Sequence, residues 1–200
     1  MIVHKPTKEV VGTYRLNLST HFESFYTNQE FSLGQYPTTS ATLLELGRAC
    51  IEKNHRRGIV ISLLWKGIAE YMNLSGAQTL FGCSSVKVTE ARESALIYTY
   101  LKNNQHLNLS YGAKPRASYS VPQLNVWLEY FEKNYHDALN KEAESLIPSL
   151  LKSYLKMGAK IIAEPALDED FNCIDFLTLL QRENLTPLAE KKYGVKPLTI

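Results

Sequence analysis

A polar turn at residues 55–58, with the sequence His-Arg-Arg-Gly, comes directly before a long apolar run. Apolar residues recur in this run at helical spacing, which predicts a helix from Gly58 to about Leu74 with Gly76 as its stop signal. The amino end of a helix has free N–H groups and the positive end of the helix dipole, so it can bind an anion. Arginines at this end are unfavourable unless such an anion is present. The alternative is that the arginines are solvated loop residues and that the glycine only eases the turn. We expect an anion site formed by His55, Arg56, Arg57, Gly58, Ile59 and Val60.

A second polar pair, Glu45 and Arg48, interrupts the apolar stretch at residues 43–51, which predicts a central strand. A carboxylate in a cleft with little water can take the proton of an amine nucleophile. Residues three apart on a regular strand point to opposite faces, so the two side chains converge only if the strand has a bulge, which is plausible near Gly47. The alternative is a buried ion pair that braces the sheet.

The three cysteines, Cys50, Cys83 and Cys173, lie far apart in the sequence, each in an apolar stretch. This distribution predicts buried thiols in a reducing compartment rather than disulfides, and no metal site. Cys83 is also a candidate nucleophile, but no histidine lies close to it in the sequence to activate it. We therefore expect no covalent intermediate on Cys83.

Composition excludes several classes of protein. The chain has 200 residues, of which 44% are hydrophobic and 21% charged, as in a globular domain rather than a disordered one. A net charge of +2 gives no indication of nucleic-acid binding. The sequence has neither a signal peptide nor an apolar stretch long enough to span a bilayer. We expect a cytoplasmic protein whose membrane contact, if any, is peripheral.

The pattern of elements predicts a single α/β domain over residues 1–200. Strand, helix, strand and helix follow one another between residues 43 and 104, which implies a βαβ unit with a right-handed crossover. The second helix is expected to open on Thr89, and a strand is expected near Tyr111. The remaining expected elements are a hairpin within residues 2–18, helices over 122–158 with a break before Pro148, a long hairpin over 159–180, and a tail over 182–200.

Several sequence blocks resemble the GNAT acyltransferases, and more narrowly the ornithine-lipid N-acyltransferases that are often labelled hemolysin-like. The blocks are "ELGR", "RRG", "LLWKGI", "LFGC" and "PSLLKSYLKMGAKIIAEPALDEDFNCIDFLTLL", within residues 9–181. The resemblance implies a central mixed β-sheet flanked by helices, with a helical insertion over 122–158 before the C-terminal hairpin. The family's first strand and two helices are expected to be missing here. Either the start is truncated, a partner supplies that wall, or activity has been lost.

The function implied by the resemblance is transfer of a fatty acyl group to the amine of an amino acid, namely ornithine, in ornithine lipid synthesis. The donor would be a phosphopantetheine thioester on acyl carrier protein or coenzyme A, and no tightly bound cofactor is expected. The anion site at residues 55–60 would hold the phosphate of this arm, and its arginines would meet the acidic carrier protein.

The resemblance also implies roles for single residues. Glu45 would be the base and Arg48 would recognise the acceptor, as suggested by a similar Glu-x-x-Arg in acyl-homoserine lactone synthases. Tyr98 would protonate the leaving thiolate, unless it is a core residue. A backbone N–H near Cys50 would stabilise the oxyanion. The aromatic-rich segment 122–158 would line an acyl tunnel, dock on a membrane, or form a plain helical cap.

Two other functions remain open at this level. An autoinducer synthase would share the Glu-x-x-Arg strand but needs a lactone-forming acceptor site that the sequence does not reveal. A degenerate module that binds an acyl chain or a carrier protein without catalysis is favoured by the short amino-terminal part.

Overall fold

The computed structural model describes residues 1–21, 24–35 and 42–195, whose strands and helices form a mixed α/β fold. The strands are β1 (Ile2–Val3), β2 (Val10–Leu18), β3 (Phe31–Ser32), β4 (Leu43–Ile51), β5 (Thr79–Val86), β6 (Lys114–Pro115), β7 (Lys160–Ile161), β8 (Ala166–Asp168) and β9 (Cys173–Gln181). The α-helices are α1 (Ile59–Ser75), α2 (Ala91–Asn103), α3 (Leu124–Asn134), α4 (Asp137–Leu146), α5 (Ser149–Lys156) and α6 (Pro187–Tyr193).

The main sheet is mixed, as expected from the sequence. Its strand order is β1-β2-β4-β5-β9-β7, and β8 also pairs with β9. Strands β4 and β5 are parallel and are joined through α1, which confirms the predicted βαβ unit, whereas the other pairs of this sheet are antiparallel. Strands β8 and β9 form the predicted hairpin, and β9 pairs along β5 from Val86 to Thr79. A separate two-stranded sheet joins β3 to β6.

The two parallel strands diverge after a short contact. Strand β4 pairs with β5 only where Leu43, Leu44 and Glu45 face Thr79, Leu80 and Phe81. Just beyond this contact the backbones still approach closely, since a Cβ on Gly82 would lie 2.2 Å from the carbonyl oxygen of Leu46. The carboxyl halves of β4 and β5 then enclose a gap in the sheet.

Strand β4 contains the predicted bulge, one residue further along than expected. Thr13 faces Cys50 and Arg15 faces Gly47, so a single residue of β2 lies opposite two residues of β4. Arg48 has a positive φ of 53°, a left-handed conformation that is uncommon for a residue other than glycine. The bulge breaks the two-residue alternation between Glu45 and Arg48 and allows both side chains to line one cavity.

The helices cover one face of the main sheet. Leu44, Leu80 and Leu180 pack there with α1, and a larger cluster joins Phe176 to helices α2, α3, α4 and α5. The opposite face is covered by residues 25–35 and by the irregular chain around residues 111–119, which pack on Phe81, Leu177 and Leu179. The two faces therefore offer different surroundings to anything bound in the gap.

Several predicted boundaries differ from the observed ones. Helix α2 begins at Ala91 rather than near Thr89, because Glu90 is the extended N-cap residue and provides no side-chain cap. The strand expected near Tyr111 is the short β6 at residues 114–115. The tail contains α6, where Tyr193 packs on Trp65 at 5.9 Å between ring centroids.

Candidate functional site

A cavity of about 450 Å³ occupies the gap between β4 and β5. One group of lining residues is mostly polar and includes Tyr26, Thr27, Glu30, Glu45, Arg48, Cys83, Ser85, Lys87, Asp168, Phe171, Cys173 and Asp175. A second group is mostly apolar and includes Tyr14, Leu46, Trp65, Leu80, Pro148, Leu150, Leu151, Tyr154, Ala159 and Leu180.

The polar and apolar groups belong to opposite faces of the sheet. Successive residues of a strand point to alternate faces. On β5, Cys83 and Ser85 point to the polar end, where the Ser85 hydroxyl donates to the Asp175 carboxylate at 2.6 Å, while Leu80 points to the helical face. The cavity thus passes through the sheet and joins a polar end on one face to an apolar end under the helices. Two different substrates can approach such a gap from opposite sides.

Glu45 is a buried anchor in this cavity. The residue is 1% exposed, and its Oε1 accepts hydrogen bonds from the backbone N–H and the hydroxyl of Thr27, both at 2.7 Å. Its Oε2 accepts from Arg15 at 3.1 Å, from the Tyr26 backbone N–H at 3.2 Å and from Asn17 at 3.4 Å. A carboxylate has about four lone-pair positions, so these donors occupy it. This coordination favours a positioning role for Glu45 over the predicted role of base.

Arg48 lies at the polar end beside two aromatic rings. Its guanidinium is 5.0 Å from the ring centroid of Tyr26 and 5.4 Å from that of Phe171. Within the described ranges no carboxylate pairs with this guanidinium. Arg48 and Glu45 meet around Tyr26, because the backbone of Tyr26 donates to Glu45 while its ring contacts Arg48. Arg48 therefore remains able to bind a carboxylate.

Three acidic side chains that the sequence analysis did not select also line the polar end. We call Glu30, Asp168 and Asp175 the carboxylate cluster; their residues are 2%, 6% and 2% exposed. Cys173 lies close to both aspartates. One carboxylate oxygen of Asp168, the Sγ of Cys173 and one carboxylate oxygen of Asp175 all lie within 4.8 Å of one another. The only sequence signal was the position of both aspartates on the strands of one hairpin, while nothing marked Glu30.

Burial and mutual repulsion shift the proton affinities in this cluster. Burial, followed by the charge of Asp175, raises the pKa of Glu30 to about 7, and burial also raises the pKa of Asp175. Burial raises the pKa of the Cys83 thiol well above its usual value and that of Cys173 to about 12. A thiol that holds its proton is a poor nucleophile. This agrees with the expectation that no covalent intermediate forms on Cys83.

The placement of Tyr98 does not support its predicted role as proton donor. Its side chain is 5% exposed within the largest apolar cluster and is not among the residues that line the cavity. Burial, with a smaller effect of the Glu164 carboxylate, raises the pKa of Tyr98 to about 12. The aromatic spacing of α2 therefore reflects core packing, which was the alternative interpretation.

A different tyrosine pair faces the apolar end. The hydroxyls of Tyr14 and Tyr154 are hydrogen-bonded to each other, and both rings line the cavity. Burial raises the pKa of Tyr14 to about 12. It also raises the pKa of Tyr154. Both hydroxyls therefore keep their protons at neutral pH and can donate to a thiolate.

The predicted anion site lies beyond the carboxyl end of β4, and its residues do not line the cavity. Gly58 has a φ of 90° and caps α1 without a side-chain hydrogen bond, so the amides of Ile59 and Val60 begin the helix there. His55 pairs with Glu52 at 2.7 Å, and the Arg56 Nε donates to the Ile51 carbonyl at 2.9 Å.

The remaining predicted residues near this site have separate surroundings. The Arg57 side chain is exposed, and the structure gives it no hydrogen bond or ion pair within residues 1–21, 24–35 and 42–195. Val60 is 6% exposed and packs with Val11 and Leu64. Cys50 is exposed opposite Thr13 and does not line the cavity, so the bulge residues Arg48 and Ala49, rather than Cys50, bring backbone to it.

The segment 122–158 contributes unequally to the cavity. Helix α5 and the residue before it supply Pro148, Leu150, Leu151 and Tyr154 to its apolar wall. Helices α3 and α4 instead pack on α2 and into the largest apolar cluster. The helical-cap interpretation thus describes α3 and α4, whereas α5 forms part of the cavity wall.

Comparisons with known proteins agree with the resemblance predicted from the sequence. A family model described as an acetyltransferase (GNAT) domain matches residues 1–66. Over 94% of the chain, the sequence is 28% identical to an L-ornithine N(alpha)-acyltransferase of Rhizobium meliloti and 27% identical to one of Brucella abortus. The chain is similar to the GNAT-type ornithine N-acyltransferases. The predicted resemblance and the predicted α/β fold class are thereby confirmed.

The chain spans about two thirds or less of the length of these two relatives. The chain spans 62% of the length of the Rhizobium meliloti relative and 66% of that of the Brucella abortus relative. A crystal structure of aminoglycoside 6'-N-acetyltransferase complexed with coenzyme A is also similar, with a TM-score of 0.41 and 12% identity over 87% of this chain and 67% of that chain. Among the helices of the described ranges, none combines the length and apolar character needed to cross a membrane.

Proposed function

We propose that this protein is an N-acyltransferase that moves a fatty acyl group from a phosphopantetheine thioester to the α-amine of ornithine. The observation that carries the proposal is the cavity through the sheet, with a polar, acidic end and an apolar end that meet where β4 and β5 diverge. Such a cavity suits the reaction of a cationic amino acid with a long acyl chain. The similarity to relatives named L-ornithine N(alpha)-acyltransferase supports ornithine as the acceptor.

The donor arm would lie along the free edge of β4. Beyond Glu45 this strand has no partner on its β5 side within the described ranges, so backbone groups at the bulge of Arg48 and Ala49 are available to an extended ligand. One of their N–H groups would stabilise the oxyanion that forms on the thioester carbonyl. The acyl chain would then lie against Leu80, Leu151 and Leu180.

The phosphate of the arm would be held at the mouth of α1. The amides of Ile59 and Val60 and the exposed guanidinium of Arg57 support this placement, whereas His55 and Arg56 have internal partners. The exposed side chains of Ile59 and Leu63 continue along the same face of α1, which suits contact with acyl carrier protein more than with free coenzyme A. An enzyme that uses carrier protein and ornithine would work in the cytoplasm, with peripheral contact at a membrane where its product leaves.

The acceptor would approach from the other face. Arg48 would bind the α-carboxylate of ornithine, which places the α-amine next to the gap. The neutral amine attacks the thioester carbonyl carbon, the carbon–sulfur bond breaks with its electron pair on sulfur, and the thiolate takes a proton. The hydroxyl pair of Tyr14 and Tyr154 at the apolar end is placed to supply that proton.

A transfer assay tests the proposal. Purified protein is incubated with palmitoyl or hydroxypalmitoyl carrier protein, or with the matching coenzyme A ester, and with ornithine, and products are identified by mass spectrometry. Formation of Nα-acylornithine supports the proposal, and a preference for the carrier protein supports the contact at α1. Tight binding of the carrier without any acylated product would contradict an enzymatic role.

A further inference from the structure

We propose that the carboxylate cluster is the acceptor subsite, which binds a diamino acid through its ammonium groups, and that Glu30 takes the proton from the attacking amine. The inference rests on the proposed function and adds to it a site and a base. It replaces Glu45 as the group that accepts the proton.

The cluster lacks a cation of its own. Glu30, Asp168 and Asp175 are almost fully buried, and within residues 1–21, 24–35 and 42–195 none of them forms an ion pair with lysine or arginine. By contrast, the neighbouring Glu45 is paired with Arg15. Buried carboxylates are costly unless a cation or a proton neutralises them. A bound ammonium group would remove this cost, so the cavity favours a cationic ligand at this end.

Hydrogen bonds hold the side chains of the two aspartates in place. Asp168 Oδ1 accepts a hydrogen bond from the Phe171 backbone N–H at 3.0 Å. Asp175 Oδ1 accepts from the Ser85 hydroxyl at 2.6 Å, and its Oδ2 lies 3.7 Å from the Cys173 Sγ. Each aspartate thus keeps acceptor capacity for an ammonium N–H, and we assign to them the side-chain ammonium of the acceptor.

Glu30 differs from the aspartates because one oxygen of its carboxylate has no partner. Its backbone is held in place, since its N–H donates to the Thr27 carbonyl at 3.2 Å and its carbonyl accepts from the Arg116 backbone N–H at 2.8 Å. Its carboxyl lies beside the Asp175 carboxyl and the Cys83 thiol, but the buried Oε2 atom has no hydrogen-bond partner among the described residues. A buried acceptor without a donor is uncommon in native proteins. An amine N–H in the cavity would supply the missing donor.

Glu30 also lies close to the site proposed for the α-carboxylate. Burial raises the pKa of Tyr26, the carboxyls of Glu30 and Asp168 add to this rise, and the guanidinium of Arg48 opposes it. These three charged groups line the same cavity as Tyr26. A diamino acid has a carboxylate and two ammonium groups within one short chain. Arg48, Glu30 and Asp168 therefore bring to this end of the cavity the charges that such an acceptor requires.

The proton balance of the reaction gives Glu30 its role. The acceptor arrives as an ammonium ion, and Glu30 removes one proton to free the nitrogen lone pair. Glu30 passes this proton to solvent and is then free to take the second proton, which the nitrogen loses when it attacks and the carbon–sulfur bond breaks. The departing sulfur gains a proton from the Tyr14 and Tyr154 pair and becomes a thiol, and the pair regains a proton from solvent. Two protons leave the nitrogen and one is taken up, so one proton is released to solvent overall.

The surroundings of Glu30 suit proton exchange near neutral pH. The groups that face it are Asp175 and Asp168, the Cys83 thiol, and the phenols of Tyr26 and Tyr119. Burial and the negative charges among these neighbours raise its pKa to about 7 in the unliganded protein. The deprotonated form is the active one, so kcat/KM for ornithine rises with pH through this value.

Two substitutions separate proton transfer from binding. In Glu30→Gln, kcat should fall by about 100-fold or more, and the acidic limb of the pH profile should disappear. Binding of ornithine measured by calorimetry without donor should change less than about five-fold, because the amide oxygen still accepts a hydrogen bond. In Asp175→Asn, the same calorimetric affinity should fall by about ten-fold or more. Glu70→Gln, at an exposed position of α1, is the matched control.

These experiments can contradict the subsite or the role of Glu30 without contradicting the proposed acyltransferase function. If the wild type acylates ornithine but Glu30→Gln keeps its turnover and pH profile, Glu30 is not the base. If ornithine binds equally to the wild type and to Asp175→Asn, or if Zn²⁺ alone binds the cluster tightly and excludes ornithine, the subsite is elsewhere. If the wild type shows no transfer, the proposed function fails, yet loss of ornithine binding in Asp175→Asn would still support the subsite. Thermal melting of each variant identifies misfolding, and Glu30→Asp should recover part of the turnover.

Discussion

Thr27 donates both its backbone N–H and its hydroxyl to Glu45 Oε1, at 2.7 Å each. The segment that carries Tyr26 and Glu30 is thereby attached to the central strand β4. Among the described residues it forms no strand pairing with β4. Glu45 is therefore the link between the sheet and the polar end of the cavity. The presence of a carboxylate on β4 is explained by this attachment, without a role in proton transfer.

Glu45→Gln should weaken the fold and the acceptor site together. The amide replaces one accepting oxygen with a donor that faces Arg15, so we expect a loss of about 2 kcal/mol in the free energy of unfolding. The KM for ornithine should rise, while the pH dependence of turnover should stay unchanged. Urea denaturation and steady-state kinetics measure these effects, with Glu70→Gln as control. Unchanged stability together with loss of the acidic limb would assign the base to Glu45 instead.

Arg48→Ala should remove recognition of the acceptor carboxylate. We expect the kcat/KM for ornithine to fall by about ten-fold to 100-fold, as for loss of one charge-assisted contact of about 1.5–3 kcal/mol. Putrescine, which has both amines of ornithine but no carboxylate, should be used equally well by the variant and the wild type. The ratio of the two substrates in competition is the measurement. A variant that discriminates against putrescine as strongly as the wild type does would exclude this role.

Tyr154→Phe and Tyr98→Phe should differ in their effects on turnover. Removal of the Tyr154 hydroxyl breaks the hydroxyl pair that we propose as the proton donor to the thiolate, and we expect kcat to fall by about ten-fold to 100-fold. Tyr98→Phe keeps the ring in the apolar cluster and should leave turnover within about two-fold of the wild type. Single-turnover kinetics with preloaded acyl carrier protein measure the chemical step. The reverse order of effects would restore Tyr98 as the proton donor.

Gly82→Ala should separate strands that the fold needs close together. Its added Cβ would lie 2.2 Å from the Leu46 carbonyl oxygen, so we expect a loss of about 2–3 kcal/mol in the free energy of unfolding. Gly67→Ala is the control, because nothing lies within 4 Å of its added Cβ, and it should stabilise helix α1 by about 0.5–1 kcal/mol. Equal stability of the two variants in urea would mean that β4 and β5 are further apart than the structure has them.

The carboxylate cluster should make the stability of the unliganded protein fall as pH rises. The pKa of Glu30 is about 7 in the folded state and close to 4.5 when unfolded, so the folded state binds more protons between these values. Stability then decreases from about pH 4.5 to pH 7, by something on the order of 2 kcal/mol, and levels off above. Thermal denaturation across this range should show the decrease, and Glu30→Gln should flatten it. A wild-type profile that rises over the same range would contradict the burial of Glu30 as an unpaired acid.

The fold was largely readable from the sequence because its strong signals are local. The apolar periodicity of α1 and the glycine at residue 76 fixed that helix, and alternation together with turn residues located β4 and the hairpin of β8 and β9. Helix α2 was placed two residues early, since Thr89 has the chemistry of a cap although Glu90 occupies the cap position. Periodicity shows which face of an element is apolar but does not show which elements meet.

The candidate site was only half predictable for the same reason. Glu45 and Arg48 stood out as charges within a strand, and the bulge that brings them together followed from their odd spacing. Glu30 lies in an irregular segment and meets Asp168 and Asp175 only through tertiary folding, so no spacing rule reveals it. The core position of Tyr98 and the cavity position of Tyr154 depend on the docking of α2 and α5 on the sheet, which the sequence pattern does not specify.

The most direct test of the central claim is a crystal structure of the protein with Nα-acylornithine, the product that joins the two substrates. The account predicts that the ornithine part lies among Glu30, Asp175 and Arg48 and that the acyl chain passes through the gap between β4 and β5 to Leu80 and Leu151. Electron density for the product on one face of the sheet only, with the gap closed and Glu30 remote from the amide nitrogen, would contradict it.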